Sequence, residues 1–179
     1  MAGLFKKKET VIKVKDKVWM TSEAKLQAFI NEWKKNPDTV FIFWFDDSLR
    51  QVESSFAKLE TGPATILMAR ETNAFQVSGK KIILAEHYPL LQKENEFFQK
   101  LKLQEAEVWS ALDEPLFKHF GSEKIIEMMK QLGMKEDEAI EHPMITKAIR
   151  SAQEEISKKI MIDKTSQSQN DWMQRNANL

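Results

Sequence analysis

The 179-residue chain contains no cysteine, which removes disulfides, thiolate catalysis and every cysteine-based metal site at once. Glycine and proline are scarce at five each, so neither a fibrous nor a low-complexity chain is indicated. Charge of one sign is also missing: 27 basic residues face 27 acidic ones. A molecule without net charge has no overall field to draw in nucleic acid or an anionic membrane, and no nucleic-acid partner is expected. Nor does any apolar run approach the roughly 20 residues needed to span a bilayer. The opening "MAGLFKKKET" places its lysines after a very short apolar patch, unlike a secretory signal, so a cytoplasmic location is expected. Lys6, Lys7 and Lys8 read as a solvated terminus, with weak membrane-surface contact through Leu4, Phe5 and these lysines as the alternative.

What is present describes a packed protein: 42% hydrophobic and 30% charged residues, in a length suited to one good core. "VIKVKDKVWM" suits an edge strand or an extended arm. Thr21 or Ser22 then offers an N-cap to a helix with Leu26, Phe29, Ile30 and Trp33 on one face. "TVFIFWF", Thr39 to Phe45, is continuous, apolar and rich in β-branched and aromatic residues, as expected of a strand covered on both faces. Asp46, Asp47 and Ser48 read as the cap of the next helix, whose buried stripe is Leu49, Val52, Phe56 and Leu59. Two further strands, Ala64 to Ala69 and Lys81 to Glu86, flank the loop "RETNAFQVSG". A helix bearing Leu91, Phe97, Phe98 and Leu101 and a fourth strand around Val108 follow.

Strands alternating with helices predict an α/β fold, an open parallel sheet with helices on both faces. Beyond Asp113 the pattern is helical. "SEKIIEMMKQLG" is capped by Ser122 and lined by Ile125, Met128, Met129 and Leu132, with Gly133 in the left-handed cap. Pro143 opens a longer helix, a C-terminal extension with Ile145, Ile149, Ala152, Ile156 and Ile160 in one narrow stripe. The tail "DKTSQSQNDWMQRNANL" is polar and reads as flexible, with Trp172 docked or reserved for a partner.

Several of these segments carry a specific wording. "GMKEDEAIEHPMITKAIRSAQ" resembles the joint by which SecA, the ATP-driven motor of bacterial protein export, passes from its second nucleotide-binding domain into its long scaffold helix. "SALDEPLFKHFGSEKIIEMMKQLGM" is similar to the stretch just before that joint. "VWMTSEAKLQAFINEW" resembles the helix that opens the same domain, holding Thr21, Lys25 and Ala28 of its pattern. "KKIILAEHYP" falls where the family has a strand ending in "GTERHES", with Glu86 matching and the rest only partly so. The resemblance runs from about Lys17 to Ser157 and implies a RecA-like (P-loop NTPase-like) domain followed by the start of a helical scaffold. It divides the chain into a basic N-terminus (1–10), a degenerate RecA-like domain (11–132), a linker with scaffold-type helix (133–162) and a polar tail (163–179).

In SecA such a domain supplies arginines to ATP held on a first domain. Arginine suits that task because its always-charged planar fork stabilises charge spreading over a transferring phosphoryl group. Here no arginine lies between Arg70 and Arg150, and the family's "GRGTDI" is replaced by "MARETNAFQVSG". Loss of an arginine finger costs on the order of 10³ to 10⁵ in rate. A "GxxxxGK[ST]" phosphate loop is missing as well. Autonomous ATP hydrolysis is not expected, no catalytic residue is assigned, and neither cofactor nor metal is expected.

A few residues at the carboxyl ends of the strands remain as candidates for a ligand crevice: Asp46, Asp47, Arg70, Glu86 and His87. Arg70 either meets an anion there or pairs with Glu71 or a helix terminus. Asp46 and Asp47 either hold a hard cation or cap their helix. Glu86 and His87 adjoin, but neighbouring strand residues point to opposite faces, which argues against a shared task. His119 and His142 read as structural, His142 as a helix-start residue. Ile145, Ile149, Ile156 and Trp172 are candidates for a partner interface, including self-association. The function expected is a non-catalytic binding or accessory module linked to protein export, acting on an export motor or a preprotein; the alternative is a small-molecule or nucleotide-binding domain, possibly an enzyme, using the crevice.

Overall fold

The computed structural model describes residues 12–59 and 62–179. The basic N-terminus and its proposed membrane contact lie outside the described residues. In chain order the elements are β1 (Lys13–Trp19), α1 (Ser22–Lys35), β2 (Val40–Phe43), α2 (Asp46–Phe56), β3 (Thr65–Met68), a 3₁₀ turn (Ala69–Glu71), α3 (Ala74–Val77), β4 (Ile82–Leu84), α4 (Leu91–Lys100) and β5 (Glu105–Ala111). They continue as α5 (Pro115–His119), α6 (Ser122–Gln131), α7 (Pro143–Ser157), α8 (Gln169–Trp172) and a π-helical turn (Met173–Ala177).

All strand pairs are parallel and form one five-stranded sheet in the order β1-β5-β4-β2-β3. The expected α/β architecture is present. The chain turns right from β2 to β3 but left from β4 to β5, so the switch point where open sheets bind ligands lies between the carboxyl ends of β2 and β4.

Each central strand is apolar on both sides, and its alternation feeds two cores. Val40, Ile42, Leu84, Ala106 and Val108 pack with Phe97, Phe98 and Leu101 under α4. Phe41, Phe43, Ile83 and Trp109 pack on the other face with Phe29 and Trp33 of α1 and Val52 and Phe56 of α2. Aromatic contacts bind this second core, Phe29 stacking on Trp109 with 5.3 Å between centroids.

Helix ends explain several departures from the sequence reading. Thr21 caps α1 as expected, its hydroxyl accepting from Ala24 N at 3.2 Å. Asp46 and Asp47 do not cap α2: they occupy its first turn, the N-cap position is Phe45, and that residue makes no side-chain cap bond. Ser122 does not cap α6 either. Gly121, at φ 79°, holds that position, while the Ser122 hydroxyl donates to the carbonyl of Leu112. Gly133 takes the left-handed conformation after α6, and His142 caps α7 by accepting from Met144 N at 3.2 Å. "RETNAFQVSG" is a turn and a short helix rather than a plain loop, because Asn73 and Gln76 form a capping box.

The stripe of α7 faces inward. Ile149 packs with Val18 and Leu112, and Ile156 is buried beside Trp172, so both are covered by this chain; Ile145 is half-buried beside them. The polar tail is likewise packed rather than loose. Trp172 and Met173 are buried against Phe45, Tyr88 and Leu116, and the indole N–H donates to Asp163 Oδ1 at 2.7 Å. Few core formers are needed when one tryptophan finds an apolar cup and a hydrogen-bond acceptor together.

Candidate functional site

At the switch point the chain runs from β4 through Ala85 to Glu86, which is buried. Its Oε1 accepts from the backbone N–H groups of Trp44 (3.0 Å) and Phe45 (3.1 Å) and from the Ser48 hydroxyl (2.7 Å). The carboxylate therefore caps α2 from another strand, at the place where the positive helix end of an open α/β fold receives an anion. Burial pushes Glu86 up to about 7, against the opposing pull of Lys25 and Ser48.

Lys25, one turn into α1, is buried on the apolar side of its helix and reaches the same region. Its Nζ donates to the carbonyl of Ala85 at 2.7 Å and to Glu114 Oε1. Burial raises the Glu114 carboxyl as well. Asp113 accepts from the N–H and hydroxyl of Ser22 at 2.9 and 2.6 Å, pinning the start of α1 to the end of β5. Between α1 and α2, above Phe43, a cavity of 240 Å³ is lined by Lys25, Asp47, Ser48, Glu86 and Glu114 and bordered by Ser168 to Asn170 of the tail.

The tail is fixed there by Gln169, which accepts from Leu116 N at 2.8 Å and donates to the His87 carbonyl at 3.1 Å. The backbone N–H of Asp47 donates to the carbonyl of Gln167 at 3.0 Å.

His87, three residues past the end of β4, does not line this cavity and is buried in the core under α4 and α7. Its Nε2 lies 2.7 Å from Asp16 and its Nδ1 3.0 Å from Glu94, all three buried. Burial alone would depress the imidazole, but the two carboxylates outweigh it and push His87 up to about 10. The Asp16 carboxyl is held low by its bond to the imidazolium, although burial opposes this. Gln153 of α7 completes the network by donating to Glu94 Oε2. Such a net joins β1, the segment after β4, α4 and α7, and engages both ring nitrogens of the imidazole.

Arg70 forms a bidentate ion pair with Asp46, at 2.7 and 2.6 Å, and approaches Glu71 at 3.4 Å. The guanidinium lowers the Asp46 carboxyl. Of the five crevice candidates, then, only Glu86 and Asp47 line the cavity. Lys25 and Glu114 were not singled out from the sequence as crevice residues; the signal for Lys25 was its place on the stripe shared with Phe29 and Trp33. Among the described residues no group of three or more histidine and acidic side chains is arranged to hold a metal, and no helix is long and apolar enough to cross a membrane.

These features define an α/β protein of the open parallel class, with its switch point occupied by its own glutamate and a helical extension clasped to the sheet. No family model matches the chain. A segment of it is similar to the protein translocase subunit SecA of Acidithiobacillus ferrooxidans strain ATCC 53993, with 52% identity over 46 residues, 26% of this chain and 5% of the relative. SecA of Methylococcus capsulatus is 46% identical over 46 residues, with the same shares. The match thus spans only about a twentieth of the length of these relatives, and through it the chain carries a SecA-related segment.

Proposed function

We propose that this protein is a non-catalytic, SecA-related binding module that serves protein export or the handling of preproteins, with an export motor or an unfolded preprotein as its partner. The observation that carries this reading is the Glu86 carboxylate on the N-terminal end of α2. A nucleotide phosphate seeking that helix end meets an acceptor already seated there, next to Glu114 and Asp47 and without an arginine. The SecA-like segment supplies the export connection, and the absence of a phosphate loop from the sequence supports a binding role.

Calorimetric titration of the full chain with ATP and ADP in magnesium tests the first half. Silence toward both supports the reading, and saturable micromolar heat overturns it. Biosensor binding to purified SecA and to a urea-unfolded preprotein tests the second half. Binding to neither removes the export connection.

One observation favours the second reading, a small-molecule or nucleotide-binding domain with possible enzymatic activity. The cavity beside Lys25 and Glu86 is real space at the switch point, and the same calorimetry addresses it.

A further inference from the structure

The two edges of the sheet differ. β1 carries Lys13, Lys15 and Lys17, paired to Glu105 and Glu107 of β5, and its open side is bridged by Ile140, which exchanges two main-chain hydrogen bonds with Val18 at 2.8 and 3.1 Å. Charged side chains and a covering segment are the usual protection of an edge against further pairing. β3, at the other edge, has neither among the described residues. Its sequence Thr-Ile-Leu-Met is uncharged, and among the described residues it pairs with β2 alone. Thr65, Ile66 and Leu67 are all half-buried, whereas every residue of the neighbouring β2 is buried. Ile66 belongs to the α1/α2 side and Leu67 to the α4 side, so an added strand finds a half-open apolar shelf on both faces.

Resting on the reading that this module handles preproteins, we propose that β3 is the docking edge, and that it receives a short extended segment of unfolded polypeptide as a sixth strand. An outward row of main-chain donors and acceptors is answered by another extended main chain, with side chains alternating onto the two shelves. The recognised chemistry is therefore an uncharged run rich in β-branched and apolar residues. Its length is set by the edge. Pro63, which has no N–H, precedes β3 and the 3₁₀ turn at Ala69 ends it, so four to six residues of the ligand engage. A second copy of this chain is a poorer occupant. Four residues of strand fall far short of the roughly 800 Å² per partner that a stable dimer buries.

The test is fluorescence anisotropy of the full chain with a soluble, fluorescein-labelled peptide carrying six alternating valines and threonines. A second peptide of the same sequence, N-methylated on alternate residues, removes main-chain donors without changing side chains. Thr65→Lys places a charge on the edge at a half-buried position, and its melting curve verifies folding. The expected result is saturable binding, weakened about tenfold or more by N-methylation and by Thr65→Lys, as loss of one or two hydrogen bonds requires. Binding indifferent to both changes overturns the docking edge while leaving the preprotein reading intact. Concentration-dependent dimerisation abolished by Thr65→Lys, without peptide binding, assigns the edge to a second copy and also overturns it. If the peptide does not bind but the unfolded preprotein does, the preprotein reading stands and this edge does not.

Discussion

Gln153 of α7 donates to Glu94 of α4 at 2.9 Å, and the same amide nitrogen donates to the Tyr88 carbonyl at 2.7 Å, all of it buried. A helix that looks like the start of a scaffold is thereby bonded into the sheet domain. Gln153→Ala leaves the buried Tyr88 carbonyl unanswered, while Glu94 Oε2 keeps His87 Nδ1 at 3.2 Å, and should cost about 1 to 3 kcal/mol. Urea denaturation measures this, and a loss under 0.5 kcal/mol would show that α7 is held by its isoleucines alone.

Removing Pro143 to Leu179 takes away Ile149, Ile156, Trp172 and Met173 together, each buried. At about 1.5 to 3 kcal/mol per buried side chain the remaining domain should lose several kcal/mol. An unchanged melting temperature would refute the packing of the joint onto the sheet. The single change Trp172→Ala should already cost about 3 to 5 kcal/mol.

His87 gives stability a pH dependence of definite sign. Its folded value, about 10, lies above its ordinary 6.5. The stabilisation is complete below pH 6.5 and is lost as pH rises through about 10. His87→Gln should abolish this alkaline loss. At pH 7 it should also cost about 3 to 5 kcal/mol, because Asp16 and Glu94 lose the charge between them. Denaturant midpoints from pH 6 to 10.5 decide the matter; parallel curves for both proteins would contradict it.

Glu86 acts in a lower window. Its folded value is raised from 4.5 to about 7, so its contribution is present below pH 4.5 and disappears as pH rises through 7. The amount is about 3 kcal/mol. Glu86→Gln keeps an acceptor for the α2 end and removes the titration, so the variant's stability should be flat over this interval. A wild-type curve already flat there would exclude the burial argument.

Asp46 and Arg70 supply the contrast. Their bond is bidentate, but the arginine side chain is 55% exposed, and Arg70→Ala should cost no more than about 1 kcal/mol. A larger loss would indicate a role for Arg70 beyond this pair.

Much of this was legible because periodicity is local. The apolar run at Thr39 to Phe45 announced a doubly covered strand, and the spacing of Phe29 and Trp33 announced a helix face. The capping of α2 was illegible because its acceptor, Glu86, arrives from about 40 residues further along. Trp172 was ambiguous for the same reason: its cup is built from Phe45, Tyr88, Leu116 and Ile156, which are dispersed through the chain. Lys25 on an apolar stripe was a visible anomaly, but its partners Glu114 and the Ala85 carbonyl are not inferable from spacing.

The pairing of β1 with β5, Lys13 opposite Glu105, has a consequence in time. β1 has its partner about 90 residues downstream, so it waits for that partner on the ribosome while the intervening strands are synthesised. At roughly 5 to 20 residues per second that delay is about 5 to 20 s. Long-range parallel pairing is also intrinsically slow. The nascent chain thus spends seconds with β1 lacking its β5 partner, and Lys13, Lys15 and Lys17 meet Glu105 and Glu107 only once β5 has emerged.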